Sequence, residues 1–289
     1  MNTPTWQIKK QMCDIGQRIW QRGYCAGNEG NHTVRIADDR VICTPTGLSK
    51  GWLGPDDMCV VDLDGVQVEP NSKGRKRTSE ILLHAAVYKH RPDVRAIIHS
   101  HPPHATAFAI AEIPLPEGIH PEAEVFLGRV PTAKFAMPST QDLPDSVVAL
   151  IGPETNTVLM GNHGSVSFSH DLIDAYYKLE ILDNYCRILL LCQQLGRANV
   201  LSNEQNGQLL EIKKKFGLSD ARVSCAADGC VGQNNQPFLA TFDVHPASAA
   251  CACGSGPTES SDSAGKVTDD DAFESLVGVI TNQIMDKMT

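Results

Sequence analysis

The sequence predicts an α/β fold, and three stretches carry that prediction. Trp6 to Arg22 places Ile8, Met12, Ile15, Ile19 and Trp20 at helical spacing and stops at Gly23. Thr78 to His104 reads as a helix, a tight turn at Pro92-Asp93 and a strand. From Asp171 a long helical pattern with a broad apolar face runs to Gly196, which suits a helix buried in a core or between subunits.

A chain of 289 residues can build one sizeable core with extras, or two domains. Its 42% hydrophobic and 20% charged residues are those of an ordinary soluble globule. The net charge of -9 argues against nucleic-acid binding, which needs a basic face. No apolar run is long enough to span a membrane and no export signal opens the chain, so a cytoplasmic location is expected. The ten Cys are then expected to be reduced. Cys13, Cys25, Cys43, Cys59, Cys186 and Cys192 fall in apolar or mixed segments as small core residues.

Between the first two helices lie short strands and polar turns. Gly27-Asn28-Glu29-Gly30-Asn31 leads into an alternating strand, and a second strand closes at Thr44-Pro45-Thr46-Gly47. Such loops either simply turn a hairpin or offer backbone N–H groups and short side chains to an anion. Asp64-Gly65 marks a further turn, and the basic NSKGRKR at 71–77 either is a solvated loop or draws a phosphorylated ligand toward the next helix. Thr78 and Ser79 are placed to cap a helix beginning at Glu80. Val130 to Ile151 reads as strand, turn and short helix, and Leu209 to Phe216 as one more helical piece.

The chemistry concentrates in HSHPPH. Residues two apart on a strand share a face, so His99 and His101 project together while Ser100 points away. A catalytic zinc site needs a third ligand and an open position. His163, in the Gly-Asn-His-Gly turn of TVLMGNHGSVSF, is the best third ligand. Glu80 is either a dipole partner in a first helical turn or, beside a metal, a general base.

GNEGNHTVR, TPTG, TSE, HSHPPH and GNHG, in this order, resemble the class II aldolase/adducin family and, within it, the bacterial fuculose-phosphate aldolases. The resemblance covers roughly Trp6 to Gly217. It implies a three-layer α/β/α domain with a mixed central sheet, one Zn2+ per subunit, and a homotetramer with active sites between subunits. It further implies His99, His101 and His163 as zinc ligands, with Glu80 as fourth ligand and acid/base. Asn28, Asn31, Thr46, Gly47, Thr78 and Ser79 match the family's phosphate-binding positions. The implied reaction splits a deoxyketose 1-phosphate into dihydroxyacetone phosphate and lactaldehyde. Family epimerases carry Asp where Glu80 stands, and the adducin head keeps the fold without the metal. The aldolases also carry a Tyr in the segment that here reads GIHPEAEVFLG, which has none. Glu122 and Glu124 are its alternatives, either as second proton donor or as mere surface charge.

Beyond Gly217 the composition becomes rich in Ala, Ser, Gly and Cys, so residues 218–267 read as a linker or loosely ordered arm. Cys225, Cys230, Cys251 and Cys253 lie there without the paired CxxC spacing of a structural zinc site. Residues 268–289 read as an acidic-started amphipathic helix with an apolar stripe of Phe273, Leu276, Val277, Ile280 and Ile284. That stripe either docks on the chain's own oligomer or resembles the encapsulation peptides that recruit enzymes to bacterial microcompartment shells.

Overall fold

The computed structural model describes residues 3–242. Helix α1 (Thr5–Gln21) is followed by strands β1 (Asn31–Ala37), β2 (Arg40–Cys43) and β3 (Cys59–Val61). Helix α2 (Ile81–His90) leads to β4 (Ala96–Ser100), α3 (Pro103–Ala111), β5 (Thr132–Ala133) and α4 (Asp142–Val148). Strands β6 (Thr157–Met160) and β7 (Gly164–Ser169) precede α5 (Leu172–Gln194), α6 (Asn203–Lys215) and α7 (Gln236–Leu239).

The strands form one sheet in the order β3-β2-β1-β4-β7-β6-β5. Every pair is antiparallel except β5 with β6, so the sheet is mixed. Side chains alternate across it and build two cores. On one face Val41, Ile97 and Phe168 pack with Leu83, Val87 and Tyr88 of α2 and with Leu143 and Val147 of α4. On the other, Ile42, Val60 and Ile98 pack with Met12, Ile15 and Ile19 of α1 and with Tyr176 and Leu179 of α5. The result is the expected three-layer α/β/α arrangement. Of the predicted α1 stripe Met12, Ile15 and Ile19 are buried together with Gly16, Ile8 is half-buried, and Trp20 lies across Gly51.

Three expectations change. Glu80 precedes α2 rather than opening it, and the Thr78 hydroxyl accepts the Glu80 N–H at 3.3 Å without capping the helix. The folded unit does not end at Gly217: it runs on through two 3-10 turns (Ala221–Ser224, Ala226–Asp228) to α7. Phe238 is fully buried against Phe108, with ring centroids 6.3 Å apart. Short turns have no hydrophobic period to read, so single anchors such as this one were invisible in the composition. Finally, Cys225 and Cys230 form a disulfide, their Cα atoms 5.6 Å apart, instead of standing as free thiols. The rest of the expected linker, with Cys251 and Cys253, and the helix bearing Phe273, Leu276, Val277, Ile280 and Ile284 lie outside the described residues.

Of the six Cys expected in the core, Cys25, Cys43, Cys59 and Cys186 are buried and Cys13 and Cys192 are half-buried. No helix among the described residues is long and apolar enough to cross a membrane.

Candidate metal centre

Strand alternation puts Ala96 and Ile98 on the α1/α5 face and Ile97 and His99 on the α2 face, where Glu80 stands at the start of α2. The Ser100 hydroxyl points the other way and donates to the Tyr24 carbonyl at 2.6 Å, and the His101 N–H donates to the same oxygen at 3.0 Å. That shared acceptor fixes the chain as it leaves β4. His163 enters from the β6–β7 turn, where Asn162 has φ 53°. Gly164 has no room for a side chain, since a Cβ there would lie 2.6 Å from the Ser100 carbonyl oxygen.

The three imidazoles meet as the sequence predicts. Ring centroids are 4.9 Å apart for His99 and His101, 4.8 Å for His99 and His163, and 5.0 Å for His101 and His163. One ring nitrogen from each lies within 4.8 Å of the others, which is the geometry of a candidate cation site. His99 Nδ1 donates to the Ser165 carbonyl at 2.9 Å, leaving Nε2 as the lone-pair atom turned into the cluster. Glu80 completes it, with Oε2 3.1 Å from His99 Nε2 and Oε1 3.4 Å from His163 Nε2.

Electrostatics favour a cation. Burial and the neighbouring rings push His101 and His163 down to about 4, so both are neutral and able to coordinate at pH 7. Burial pushes the Glu80 carboxyl up, but His99, His163 and the Asn31 amide outweigh it and hold the group well below the usual carboxylate range. Its Oε1 is buried without a hydrogen-bond donor. The imidazoles of His99, His101 and His163 with an under-satisfied carboxylate oxygen fit a divalent ion.

Behind Glu80 lies a buried relay that sequence reasoning missed. The Asn31 side-chain amide donates to Glu80 Oε2 at 2.9 Å, and its carbonyl oxygen is bonded to His84 Nε2. His84 Nδ1 meets the Thr33 hydroxyl at 2.9 Å, which in turn meets Tyr88 Oη at 2.9 Å. Glu80, just ahead of α2, and His84 and Tyr88 on it are spaced by four, and that period was the available signal. A second anchor was also missed: Asp183, buried in α5, accepts the backbone N–H groups of His104 and Ala105 at 2.9 and 3.1 Å and holds His104 Nδ1 at 2.9 Å.

The six positions expected to take phosphate sit on three segments pinned to one another. Thr46 N–H donates to Lys76 O at 3.0 Å and Thr78 N–H to Thr44 O at 3.1 Å, which brings the TPTG and TSE segments side by side. Asn28, Thr46, Gly47 and Ser79 are exposed, whereas Asn31 and Thr78 are buried. Asn31 already spends one amide hydrogen on Glu80, leaving one free. In the basic loop, Lys73 and Arg75 are engaged by Asp57 at 3.2 and 2.9 Å.

The two acids offered in place of a Tyr behave differently. Glu122 is exposed and lies 3.4 Å from His120. Glu124 is buried, accepts the Gly118 N–H at 2.6 Å and pairs with Arg222 at 3.1 Å. Burial raises its pKa in spite of Arg222. Among the described residues no hydrogen bond or ion pair joins either acid to the histidine cluster.

Residues 10–190 match the Class II Aldolase and Adducin N-terminal domain family. The chain belongs to the class II aldolase family. Among its class II aldolase relatives, the L-fuculose phosphate aldolase of Methanocaldococcus jannaschii is 33% identical over 183 residues, 63% of this chain and 96% of that one. The 3-oxo-tetronate 4-phosphate decarboxylase of Haemophilus influenzae is 30% identical over 191 residues, 64% of this chain and 88% of that one. A solved L-fuculose 1-phosphate aldolase shares the fold at TM-score 0.63 and 26% identity, covering 73% of this chain and 96% of its own. As a class II aldolase the chain is a lyase, and the α/β/α scaffold described above is that of its relatives.

Proposed function

We propose that this class II aldolase is zinc-dependent and reversibly cleaves L-fuculose 1-phosphate or L-rhamnulose 1-phosphate to dihydroxyacetone phosphate and lactaldehyde. The observation that carries the reading is the placement of Glu80 against His99 and His163, 3.1 and 3.4 Å away. His99, His101 and His163 would hold the ion, with Glu80 as fourth ligand before substrate enters. A divalent ion held by these residues would supply Lewis acidity to a ketose phosphate and stabilise negative charge developing on cleavage. Glu80, kept ionised, accepts and returns a proton at the adjacent carbon. Asn28, Asn31, Thr46, Gly47, Thr78 and Ser79 take the phosphate and fix the reacting carbons relative to Glu80. The carboxylate at this position is Glu rather than the Asp of family epimerases, which favours cleavage over epimerisation, and the intact ligand set speaks against a metal-free adducin-like binding module.

A second reading has one specific support: the Haemophilus influenzae relative named 3-oxo-tetronate 4-phosphate decarboxylase is 30% identical to this chain, close to the 33% of the Methanocaldococcus jannaschii fuculose phosphate aldolase. We further infer a homotetramer with active sites between subunits, and recruitment to a bacterial microcompartment shell through residues 268–289; shells that still retain enzyme cut after Gly265 would refute that recruitment.

The deciding experiment measures dihydroxyacetone phosphate released from both sugar phosphates and carbon dioxide released from 3-oxo-tetronate 4-phosphate. It uses wild type and His101→Ala with metal content determined on the same samples. Aldol cleavage that vanishes together with the metal supports the aldolase. Carbon dioxide without cleavage replaces it with the decarboxylase.

A further inference from the structure

Lys50 is a charged residue with almost no access to solvent, 1% exposed. Its ammonium donates to the Asn28 carbonyl at 2.8 Å and to the Leu48 carbonyl at 2.7 Å. The third N–H has no acceptor among the described residues, and no carboxylate comes within ion-pairing distance of it. Burying an unpaired ammonium is costly, so a fold that keeps one has a use for the charge.

The location suggests that use. Asn28 lies in the loop that leads into β1, and Leu48 follows Thr46-Gly47, so one ammonium ties together the two loops that carry four of the six phosphate-site positions. Both carbonyl dipoles, whose negative ends would repel an anion at the loop tips, are turned inward onto the cation. Helix α1 seats the residue from behind: a Cβ at Gly16 would lie 2.6 Å from the Lys50 carbonyl oxygen, so only glycine allows this approach. Burial lowers the Lys50 pKa, while Cys25, Glu29 and Glu80 pull the other way. Lys73 and Arg75 of the basic loop are already taken by Asp57.

We propose that Lys50 is a positioning residue for the substrate's phosphate: its buried ammonium shapes the 27–31 and 46–49 loops into one anion cradle and supplies the cradle's positive charge from beneath. This rests on the phosphate-site reading given above and adds to it the residue that makes the loops attractive to a dianion. The charge acts through the two loop carbonyls it gathers.

The test is calorimetric titration of the zinc-loaded protein with inorganic phosphate, comparing wild type with Lys50→Met and Lys50→Gln. Gln, one bond shorter, keeps an N–H donor and removes the charge, so it serves if the Met variant does not fold. The expected result is phosphate binding about tenfold weaker or more in the variants at unchanged zinc content. In turnover KM for the sugar phosphate rises by about the same factor while kcat stays within about threefold. A folded variant that binds phosphate as the wild type does overturns the proposal, as does one whose zinc content and kcat collapse together. A wild type that binds no phosphate refutes the phosphate-site reading itself, and Lys50's part in it with it.

Discussion

Asn31 and Glu80, 49 residues apart in sequence, meet through a 2.9 Å hydrogen bond from the Asn31 amide to Glu80 Oε2. The bond joins the end of the β1 loop to the start of α2 and leaves the Glu80 carboxylate facing His99 and His163. Because the Asn31 carbonyl oxygen is bonded to His84, the amide cannot flip without breaking a buried contact.

His84→Gln should therefore loosen Glu80 without touching any metal ligand. Groups that orient a metal's ligands typically cost about 10–100-fold in metal affinity or activity when replaced. Chelator competition for the metal and initial rates of dihydroxyacetone phosphate release, run on the same preparation, are the measurements. A variant equal to wild type in both would remove the relay from the mechanism.

The layered fold and the metal cluster were legible because each rests on a strong period. His99 and His101 are two apart on a strand, and α1 shows its buried stripe at 3.6-residue spacing. His163 was legible from the tight glycine turn around it. What escaped takes its meaning from tertiary contact. Lys50 reads as one more surface lysine until α1 is seen to close over it, and His84 reads as a helix filler until Asn31 is seen across from it. The region after Gly217 escaped for a related reason, since its elements are too short to show any period.

His32 sets a pH dependence of stability. The ring is buried, its Nε2–H donates to the Met12 carbonyl at 2.9 Å, and its Nδ1 has no partner, so burial pushes its pKa from 6.5 down to about 4. Between those values the unfolded chain holds a proton that the folded chain refuses, so stability falls as pH drops from 6.5 toward 4. At about 1.4 kcal/mol per unit, His32 accounts for roughly 3 kcal/mol across the window. His32→Gln can still donate to Met12 and should flatten the slope of unfolding free energy against pH by about one proton. Urea unfolding of both proteins at pH 7, 6 and 5 measures it, and parallel slopes would refute it.

Arg222 tests whether Glu124 belongs to the scaffold or to the chemistry. Its guanidinium bridges Glu117 at 2.9 Å and Glu124 at 3.1 Å, both carboxylates being buried. Arg222→Met would leave two buried acids without their shared cation, a loss of about 3–5 kcal/mol by comparison with other broken buried pairs. Glu124→Gln, which keeps the shape and loses the charge, should retain cleavage activity within about twofold. A Glu124→Gln protein that folds but no longer turns over would return Glu124 to the list of proton donors.

Where the catalytic unit ends can be decided by truncation. Ending the chain at residue 217 removes Phe238, which fills the space beside Phe108, and Asn235, which bonds the backbone of Glu117 at 2.8 and 2.7 Å. It also removes Arg222 from the Glu117–Glu124 pair. The Phe238 cavity alone is worth about 3–5 kcal/mol, and Glu124, left without its cation, adds to it, so the sum rivals the stability of a whole domain. A chain cut at residue 244 keeps all of these contacts and should match the full-length chain in melting temperature, whereas one cut at 217 should melt far lower or fail to accumulate. Equal melting temperatures for the two truncations would show that residues 218–242 are an appendage, and the boundary would return to Gly217.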